Sequence, residues 1–345
     1  MTLLRGDDPQ AITAAARRLA DGGLVAFATE TVYGLGARAD DTAAVAAIFA
    51  AKGRPADHPL IVHVADRAHA APFTAHCTAP VTVQLDGANN PASALLDRLT
   101  HAFWPGPVTV IVPRMPGMAV AAAGGQSSIG LRCPAHPVAQ ALLRAAAALG
   151  VPGVAAPSAN RFGRISPTTA AHVAQDFGPD LWVLDGGDCA LGIESTIIDL
   201  SRHAPVLLRP GVLTRAALES VLGQPLQAPD AQAPRAPGTL AAHYAPQARL
   251  RLWPGPALSA ALAAALHTPE MLPPGLAVYS RRAGDGGPHR QWAAMPDDPG
   301  AAAQQLFAVL RQFDAQGVAE IWVEQPPDHP AWEGVADRLR RAASA

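Results

Sequence analysis

The chain has 345 residues, of which 49% are hydrophobic and 16% are charged, and its formal net charge is -2. Such a length accommodates two domains with their own cores, and such a hydrophobic share excludes a wholly disordered chain. The nearly balanced charge excludes a surface that is basic all over, so any contact with nucleic acid would use a local patch.

The first half of the sequence alternates between helical and strand patterns. Asp8 followed by a proline is typical of an N-cap and a first helical position, and predicts a helix that the next glycine pair ends. Residues 24–29 predict a buried strand with a polar end, and Thr42 predicts the start of a second helix that Gly53 ends. Further strands are predicted over 60–64, 107–112, 127–131, 154–156, 181–184, 196–200 and 206–208, and further helices over 137–149, 168–177 and 215–222.

The pattern weakens at two places in the chain. Residues 65–91 show little periodicity, and 87–91 predict a loop. From 223 to 247 five prolines predict a linker rather than a folded unit. The expected domains are therefore 1–213, a helix and proline-rich linker over 214–247, and 248–345.

The C-terminal part predicts a small parallel α/β domain, because strands alternate there with helices. The predicted strands cover 249–253, 276–279 and 319–323, and the predicted helices cover 257–266, 301–313 and 332–341.

The sequence contains no pattern typical of secretion or of membrane insertion. Cys77, Cys133 and Cys189 are far apart and form no C-x-x-C pair, which argues against a disulfide framework or a cysteine zinc site. No apolar run approaches the roughly 20 residues of a membrane span, and the N-terminus lacks the apolar core of a signal peptide. We expect a soluble, cytoplasmic protein with no membrane attachment.

Two short strings indicate a phosphate site. Lys52-Gly53-Arg54 places two cations at the end of the second predicted helix, and Ser158-Ala159-Asn160 follows a short predicted strand. A nucleoside triphosphate brings about four negative charges, which two cations on one turn can approach from the same side. The alternatives are cations that complement a helix dipole and an ordinary polar turn. Neither the P-loop pattern nor a dinucleotide-binding glycine pattern is present.

Single polar residues on other predicted elements are further candidates. His63 lies on a strand, and Arg132 ends a strand, where a guanidinium can bind a carboxylate through two hydrogen bonds. Ser195 opens a strand, and Tyr244 lies in the proline-rich linker. The alternatives are a core histidine for His63, a surface arginine for Arg132 and a strand cap for Ser195. Most of these candidates lie at strand ends or on the loops that follow, where open α/β sheets bind ligands.

Eight short strings follow one another in a characteristic order along the chain. They are Thr29-Glu30-Thr31-Val32-Tyr33-Gly34-Leu35-Gly36, Lys52-Gly53-Arg54-Pro55, Pro59-Leu60-Ile61-Val62-His63, Trp104-Pro105-Gly106-Pro107, Arg132-Cys133-Pro134, Pro157-Ser158-Ala159-Asn160, Ser166-Pro167-Thr168 and Ser195-Thr196-Ile197-Ile198-Asp199. In this order they resemble the YrdC-like domain over about residues 8–213. Through Pro237-Gly238 and His243-Tyr244-Ala245-Pro246, the proline-rich linker and the trailing α/β domain resemble the two-domain threonylcarbamoyl-AMP synthases.

The resemblance implies a fold and an activity. The fold is a twisted mixed α/β sheet around a concave cavity, followed by a smaller Rossmann-like parallel domain. The activity is that of a nucleotidyltransferase, which converts L-threonine, bicarbonate or CO2, and ATP with Mg²⁺ into threonylcarbamoyl-AMP and pyrophosphate. The product would pass to a tRNA threonylcarbamoyl transferase complex, so that contact with tRNA is indirect.

The resemblance also implies roles for individual residues. Lys52 and Arg54 would be catalytic, and Lys52 and Asn160 would complete the polar ring at the phosphates. His58 stands where the family commonly has asparagine. The implied threonine site consists of Thr31, His63, Arg132, Ala156 and Ser195. The implied ATP site consists of Arg54, His58, Ser128, Ser158, Asn160, Ser166, Arg209 and Tyr244, the last folding back from the linker as a lid.

Two other functions are alternatives. A YrdC-like domain can be an RNA-binding module of ribosome maturation, but the near-neutral charge and the complete threonine-site residues disfavour it. Carbamoyl-adenylate formation for hydrogenase maturation normally belongs to a much longer chain with acylphosphatase and zinc-finger parts, which this sequence lacks.

Overall fold

The computed structural model describes residues 2–75, 91–267, 273, 275–282 and 291–345. Within these residues it contains a ten-stranded mixed sheet and a four-stranded parallel sheet. The predicted α/β class and the predicted second, parallel sheet are thereby confirmed. Cys77 and the predicted loop residues 87–90 lie outside the described residues.

The large sheet has the strand order β1-β8-β2-β3-β7-β4-β6-β5-β9-β10 and mixes parallel with antiparallel pairs. Its elements are β1 (Thr2–Arg5), α1 (Pro9–Ala20), β2 (Val25–Phe27), β3 (Gly34–Arg38), α2 (Thr42–Lys52), β4 (Ile61–His63), α3 (Pro91–Phe103), β5 (Val108–Pro113), β6 (Ser128–Arg132), α4 (Pro137–Ala148), β7 (Val154–Ala155), α5 (Ala170–Phe177), β8 (Trp182–Asp185), β9 (Thr196–Asp199), β10 (Val206–Arg209) and α6 (Arg215–Leu222).

The small sheet has the order β11-β14-β12-β13, and all its neighbouring strands are parallel. No helix in the described parts of the chain combines the length and the apolar character that crossing a membrane requires. The elements of this part are β11 (Arg249–Trp253), α7 (Gly255–His267), β12 (Leu276–Ser280), β13 (Gln291–Ala294), α8 (Pro299–Ala315), β14 (Glu320–Glu324) and α9 (Glu333–Ala343).

Local sequence signals account for the helix that carries the phosphate-site cations. Asp41 caps α2 by accepting hydrogen bonds from two backbone amides, one residue before the cap that the sequence predicts at Thr42. Gly53 adopts a left-handed conformation with φ 63° and ends the helix, as predicted. The chain therefore turns sharply between Lys52 and Arg54, and the two cations leave the helix in different directions.

Four elements were not predicted from the sequence: β1, β3, α3 and β13. β3 contains two glycines, which weaken a strand pattern. A Cβ at Gly36 would lie 2.8 Å from both Phe27 and Val154, so glycine there lets neighbouring side chains pack against the backbone. Helix α3 begins at Pro91, where the sequence predicted the end of a loop.

The two domains share a hydrophobic core. Val32, Ile165 and Ile193 of the first domain pack in one cluster with Tyr244 and with the buried faces of α8 and α9. Residues 223–247 run between the sheets as mostly irregular backbone, with Tyr244 only 1% exposed. The proline-rich segment is thus part of the packed structure, although it lacks regular elements.

Replacing Gly192 with alanine should weaken the docking of the two domains. Gly192 has φ +75°, and a Cβ there would overlap the backbone of α8, lying 2.5 Å from the carbonyl oxygen of Ala303. Gly163 has φ +78° with nothing within 4 Å, so Gly163→Ala introduces the same backbone strain without the overlap. We expect Gly192→Ala to lose about 2 kcal/mol more than this control in urea unfolding. Equal losses would contradict the prediction.

Candidate functional site

A cavity opens between the large sheet and the proline-rich segment. Its empty space is about 540 Å³, including the opening to solvent. The wall contains side chains from strand ends and loops of the first domain, and Pro237, Gly238, His243 and Tyr244 of the linker close one side. Such a position, at strand ends of an α/β sheet, is typical of ligand sites.

One end of the cavity is built around Arg132, which is 4% exposed. Its Nη1 donates to the Thr31 hydroxyl at 2.8 Å, and its Nε donates to the Gly106 carbonyl at 3.3 Å. Its Nη2 lies 2.7 Å from Oε1 of Glu30. Glu30 compensates the buried charge, and the hydrogen bonds fix the guanidinium plane at the wall.

Ser195 lies beside this end, directly before the strand that begins at Thr196. Its hydroxyl is 2.7 Å from the Thr109 hydroxyl and accepts from Arg209 at 3.2 Å. Arg209 also donates to the Ser195 carbonyl at 3.0 and 2.9 Å, and to the Pro237 carbonyl at 3.0 Å. One guanidinium therefore joins β9, β10 and the linker at the cavity wall.

His63 is 3% exposed and lines the same end. Burial lowers the pKa of its imidazole to about 3, and the neighbouring Arg132 charge acts in the same direction. The ring is therefore neutral at neutral pH. Its buried Nδ1 has no hydrogen-bond partner among the described residues, so it is available to a polar ligand.

The other end of the cavity presents Arg54, which is 8% exposed. Its Nη2 donates to the Pro59 carbonyl at 2.8 Å, and its Cζ lies 5.6 Å from the Phe162 ring centre. Its Nε has no hydrogen-bond partner in the described part of the chain. Burial lowers the pKa of Arg54 to about 10, still far above neutral pH. No carboxylate in the described residues lies within ion-pair distance of this cation. A buried and uncompensated guanidinium favours the binding of an anion.

Lys52 lies behind this wall rather than on it. Its Nζ donates to the Ser158 carbonyl at 2.6 Å and to the Asn160 carbonyl. Burial lowers the pKa of Lys52 well below its usual value, and the Arg54 charge adds to the effect. The two strings that the sequence paired are thus in direct contact, with Lys52 bracing the loop that carries Ser158.

The structure brings eight of the predicted site residues to one cavity and leaves six around it. Lys52 and Asn160 support the Ser158 loop, and Thr31 lies behind Arg132. The Ser166 hydroxyl donates to Glu194, while Ser128 lines an adjoining crevice beside Pro237. His58 packs edge-on against Phe162 with ring centres 5.3 Å apart. The eight residues at the cavity wall are Arg54, His63, Arg132, Ala156, Ser158, Ser195, Arg209 and Tyr244.

Some site residues were not predicted from the sequence. Glu30 stands inside the first recognised string and Glu194 directly precedes the last, and a search for charge partners of the buried arginines would have found them. His243 lines the cavity with an unpartnered, buried Nδ1. Arg338 pairs with Glu194 from the other domain, and no local pattern indicates this contact.

The cavity residues suit a metal ion that is brought in by a bound ligand better than a metal ion that the protein alone holds. Within the described residues, no group of three His, Cys, Asp or Glu side chains could hold a metal. Glu30 and Glu194 are already paired with arginines. Mg²⁺ prefers carboxylates together with phosphates. Among the described residues, Oδ1 of Asn160 is a buried oxygen without a hydrogen-bond partner.

Glu194 should make stability depend on pH in acid. Burial by itself raises the pKa of Glu194, but Arg338, Arg209 and hydrogen bonds outweigh it and lower the pKa to about 2. Its contribution is therefore present above the unfolded pKa of 4.5 and lost as pH falls through about 2. We expect this part to be about 3 kcal/mol and to be missing in Glu194→Gln. Urea unfolding of both proteins from pH 6 downwards measures it, and parallel pH curves would contradict it.

The fold and the site define a two-domain α/β protein with an arginine-lined cavity between a mixed sheet and an interdomain linker. A family model described as "Telomere recombination" matches residues 17–211, and one described as "Threonylcarbamoyl-AMP synthase, C-terminal domain" matches 213–344. The chain belongs to the threonylcarbamoyl-AMP synthase family.

Individual relatives match nearly the whole chain. The threonylcarbamoyl-AMP synthase of Bacillus subtilis is 36% identical over 360 residues, covering 99% of this chain and 94% of the relative. That of Pyrococcus abyssi is 36% identical and covers 96% and 94%. The crystal structure of P. abyssi Sua5 complexed with L-threonine has a TM-score of 0.84 at 33% identity, covering 99% of this chain and 97% of the other.

Proposed function

We propose that the protein is an L-threonylcarbamoyladenylate synthase, a nucleotidyltransferase that uses L-threonine, bicarbonate or CO2, and ATP. The observation that carries the proposal is that His63, Arg132 and Ser195, predicted for threonine, line the same cavity as Arg54 and Arg209, predicted for ATP. The similarity to threonylcarbamoyl-AMP synthases over both domains supports the same reaction. Neither observation favours the RNA-binding alternative.

At the threonine end, Arg132 binds the substrate carboxylate. Its position is fixed by Thr31 and Glu30, so little reorganisation accompanies binding. The neutral His63 ring and the Ser195 hydroxyl face the amine and hydroxyl groups. The unprotonated amine nitrogen attacks the carbon of CO2, a C–N bond forms while one C–O π bond opens onto its oxygen, and the nitrogen gives its proton to water to leave the carbamate.

At the ATP end, the carbamate oxygen attacks the α-phosphorus, and the bond to the bridging oxygen of the β-phosphate breaks. Pyrophosphate leaves, and threonylcarbamoyl-AMP remains. No covalent enzyme intermediate is needed, because positioning and cationic stabilisation of the phosphate suffice. Arg54 supplies charge at the phosphates, and Lys52 holds the loop with Ser158 and Asn160 against them. Mg²⁺ bound with ATP would supply positive charge at the phosphates, and Asn160 Oδ1, which has no hydrogen-bond partner among the described residues, is the protein oxygen that would hold it.

The product is a mixed anhydride, which water hydrolyses readily. We therefore propose that it is passed on to a tRNA threonylcarbamoyl transferase complex in the cytoplasm, with tRNA met only at that later step. The protein itself needs no basic surface for this role, in line with its net charge of -2.

One assay tests the proposed function. The protein is incubated with ATP, Mg²⁺ and bicarbonate, with and without L-threonine, and pyrophosphate and acyl-adenylate are measured. We expect both products only when threonine is present, and L-alanine in place of threonine serves as the control. Pyrophosphate release that does not depend on threonine, or no release at all, would contradict the proposal.

A further inference from the structure

Helix α9 of the C-terminal domain places a buried guanidinium behind the wall of the cavity. Arg338 is 0% exposed. Its Nε donates to Oε2 of Glu194 at 2.8 Å, and its Nη2 donates to the backbone carbonyl of the same residue at 3.2 Å. Its Nη1 donates to the Pro210 carbonyl and to Asp337, at 2.9 and 2.8 Å. The guanidinium is thus held entirely by groups at the domain boundary.

The contacts of Arg338 fall next to two residues of the proposed substrate site. Glu194 directly precedes Ser195, and Pro210 directly follows Arg209. Arg209 and Ser195 are themselves joined by hydrogen bonds across β9 and β10. Arg338 therefore holds the backbone next to Ser195 and the backbone next to Arg209, and it does so from outside the cavity.

Close packing holds the helix in this place. A Cβ at Gly334, one turn before Arg338, would overlap the carbonyl oxygen of Gly211 and lie 2.9 Å from Ile193. The helix can approach β10 this closely because Gly334 has no side chain. A shift of α9 would accordingly move Arg338 away from the Glu194 and Pro210 carbonyls.

Arg338 also orients the linker residue that closes the cavity. Its Cζ lies 5.4 Å from the centre of the Tyr244 ring, and Phe307 of α8 stacks on the ring at 5.4 Å. Tyr244 is therefore held between a cation and an aromatic ring, both contributed by the C-terminal domain.

We propose that Arg338 is a positioning residue for the reaction, through which the C-terminal domain sets the placement of Ser195, Arg209 and Tyr244. The inference rests on the proposed function and deepens it. Because Arg338 does not line the cavity, it acts through Glu194 and the two carbonyls rather than by touching substrate. Through Arg338, the C-terminal domain contributes to the use of threonine and ATP as well as to stability.

Steady-state kinetics of Arg338→Met, Arg338→Lys and Glu194→Gln test the inference. Measurements are made on the full chain, at a temperature where circular dichroism shows each variant folded. We expect Arg338→Met to lower kcat/KM for threonine about 100-fold, because small misplacements of site residues are that damaging. Arg338→Lys keeps the charge and one donor, so it should recover activity to within about tenfold of wild type. If Arg338→Met does not fold, Glu194→Gln decides the question: a loss of kcat/KM supports the inference, and wild-type kcat/KM overturns it.

A double variant separates a positioning role from a purely structural one. If Arg338 acts through Glu194, the double variant Arg338→Met/Glu194→Gln should be as active as the less active of the two single variants. The control is Arg340→Met, which removes an exposed arginine from the same helix and should leave kcat and KM unchanged. Wild-type kcat/KM in folded Arg338→Met, or strictly multiplicative losses in the double variant, would overturn the inference. Absence of threonine-dependent pyrophosphate release by the wild type would instead overturn the proposed function, and the inference with it.

Discussion

Arg132→Met should strongly reduce threonine-dependent pyrophosphate release while ATP still binds. The Arg132 guanidinium is the cation at the proposed threonine end, and its Nη2 forms no well-directed hydrogen bond in the described structure. Removing it takes away the partner of the substrate carboxylate and leaves Glu30 buried and unpaired. We expect kcat/KM for threonine to fall by at least about 100-fold, the kinetic equivalent of roughly 3 kcal/mol. Pyrophosphate release measures the kinetics, and calorimetry measures ATP binding.

Two further variants separate lost recognition from lost stability. Arg132→Lys keeps the charge beside Glu30 but not the two-pronged donor geometry, so it should stay folded and still bind threonine poorly. Arg114→Met removes an arginine that donates only to backbone carbonyls, away from the cavity, and should leave kcat/KM unchanged in folded protein. Near-wild-type threonine affinity in Arg132→Lys would show that the fork geometry is unimportant.

The parts of the site that depend on neighbouring residues could be predicted from the sequence. The helix that ends at Gly53 follows from an apolar pattern and a terminal glycine, and the strand that ends at Arg132 follows from a short apolar run. Both put polar residues at element ends, which is where the cavity lies. Strand β3 was not predicted, because its glycines let neighbouring side chains pack against the backbone. Strand propensities do not express such a role.

The parts that depend on distant partners could not be predicted. Lys52 was expected to face phosphate, but its direction is decided by carbonyls 106 and 108 residues later in the chain. Arg338 is separated from Glu194 by 144 residues, and on sequence alone it is one of several arginines on an amphipathic helix. The linker was expected to lack regular elements, with Tyr244 folding back over the nucleotide. The burial of Tyr244 between Arg338 and Phe307 depends on contacts from the C-terminal domain, which no local pattern indicates.

Arg54→Met should lower the activity strongly and leave the free energy of unfolding nearly unchanged. We expect this contrast to be larger than for any other single change at the ATP end. The Arg54 guanidinium is buried with one carbonyl partner and no ion-paired carboxylate within the described residues. Its burial therefore opposes folding, whereas its charge favours a bound triphosphate. We expect kcat/KM for ATP to fall about 1,000-fold. The free energy of unfolding should remain within about 1 kcal/mol of wild type or rise.

Lys52→Met provides the matched comparison. The Lys52 side chain lies next to Arg54, but its hydrogen bonds stabilise the fold, whereas the burial of Arg54 opposes folding. Its Nζ satisfies the carbonyls of Ser158 and Asn160, and removing it leaves two buried acceptors without a donor. Each such loss costs about 1–3 kcal/mol, so Lys52→Met should lose stability as well as activity. Urea unfolding and ATP-dependent pyrophosphate release on both variants measure the contrast. If Arg54→Met lost as much stability as Lys52→Met, Arg54 would be part of the structural frame, and the phosphate charge would have to be met by Arg209 instead.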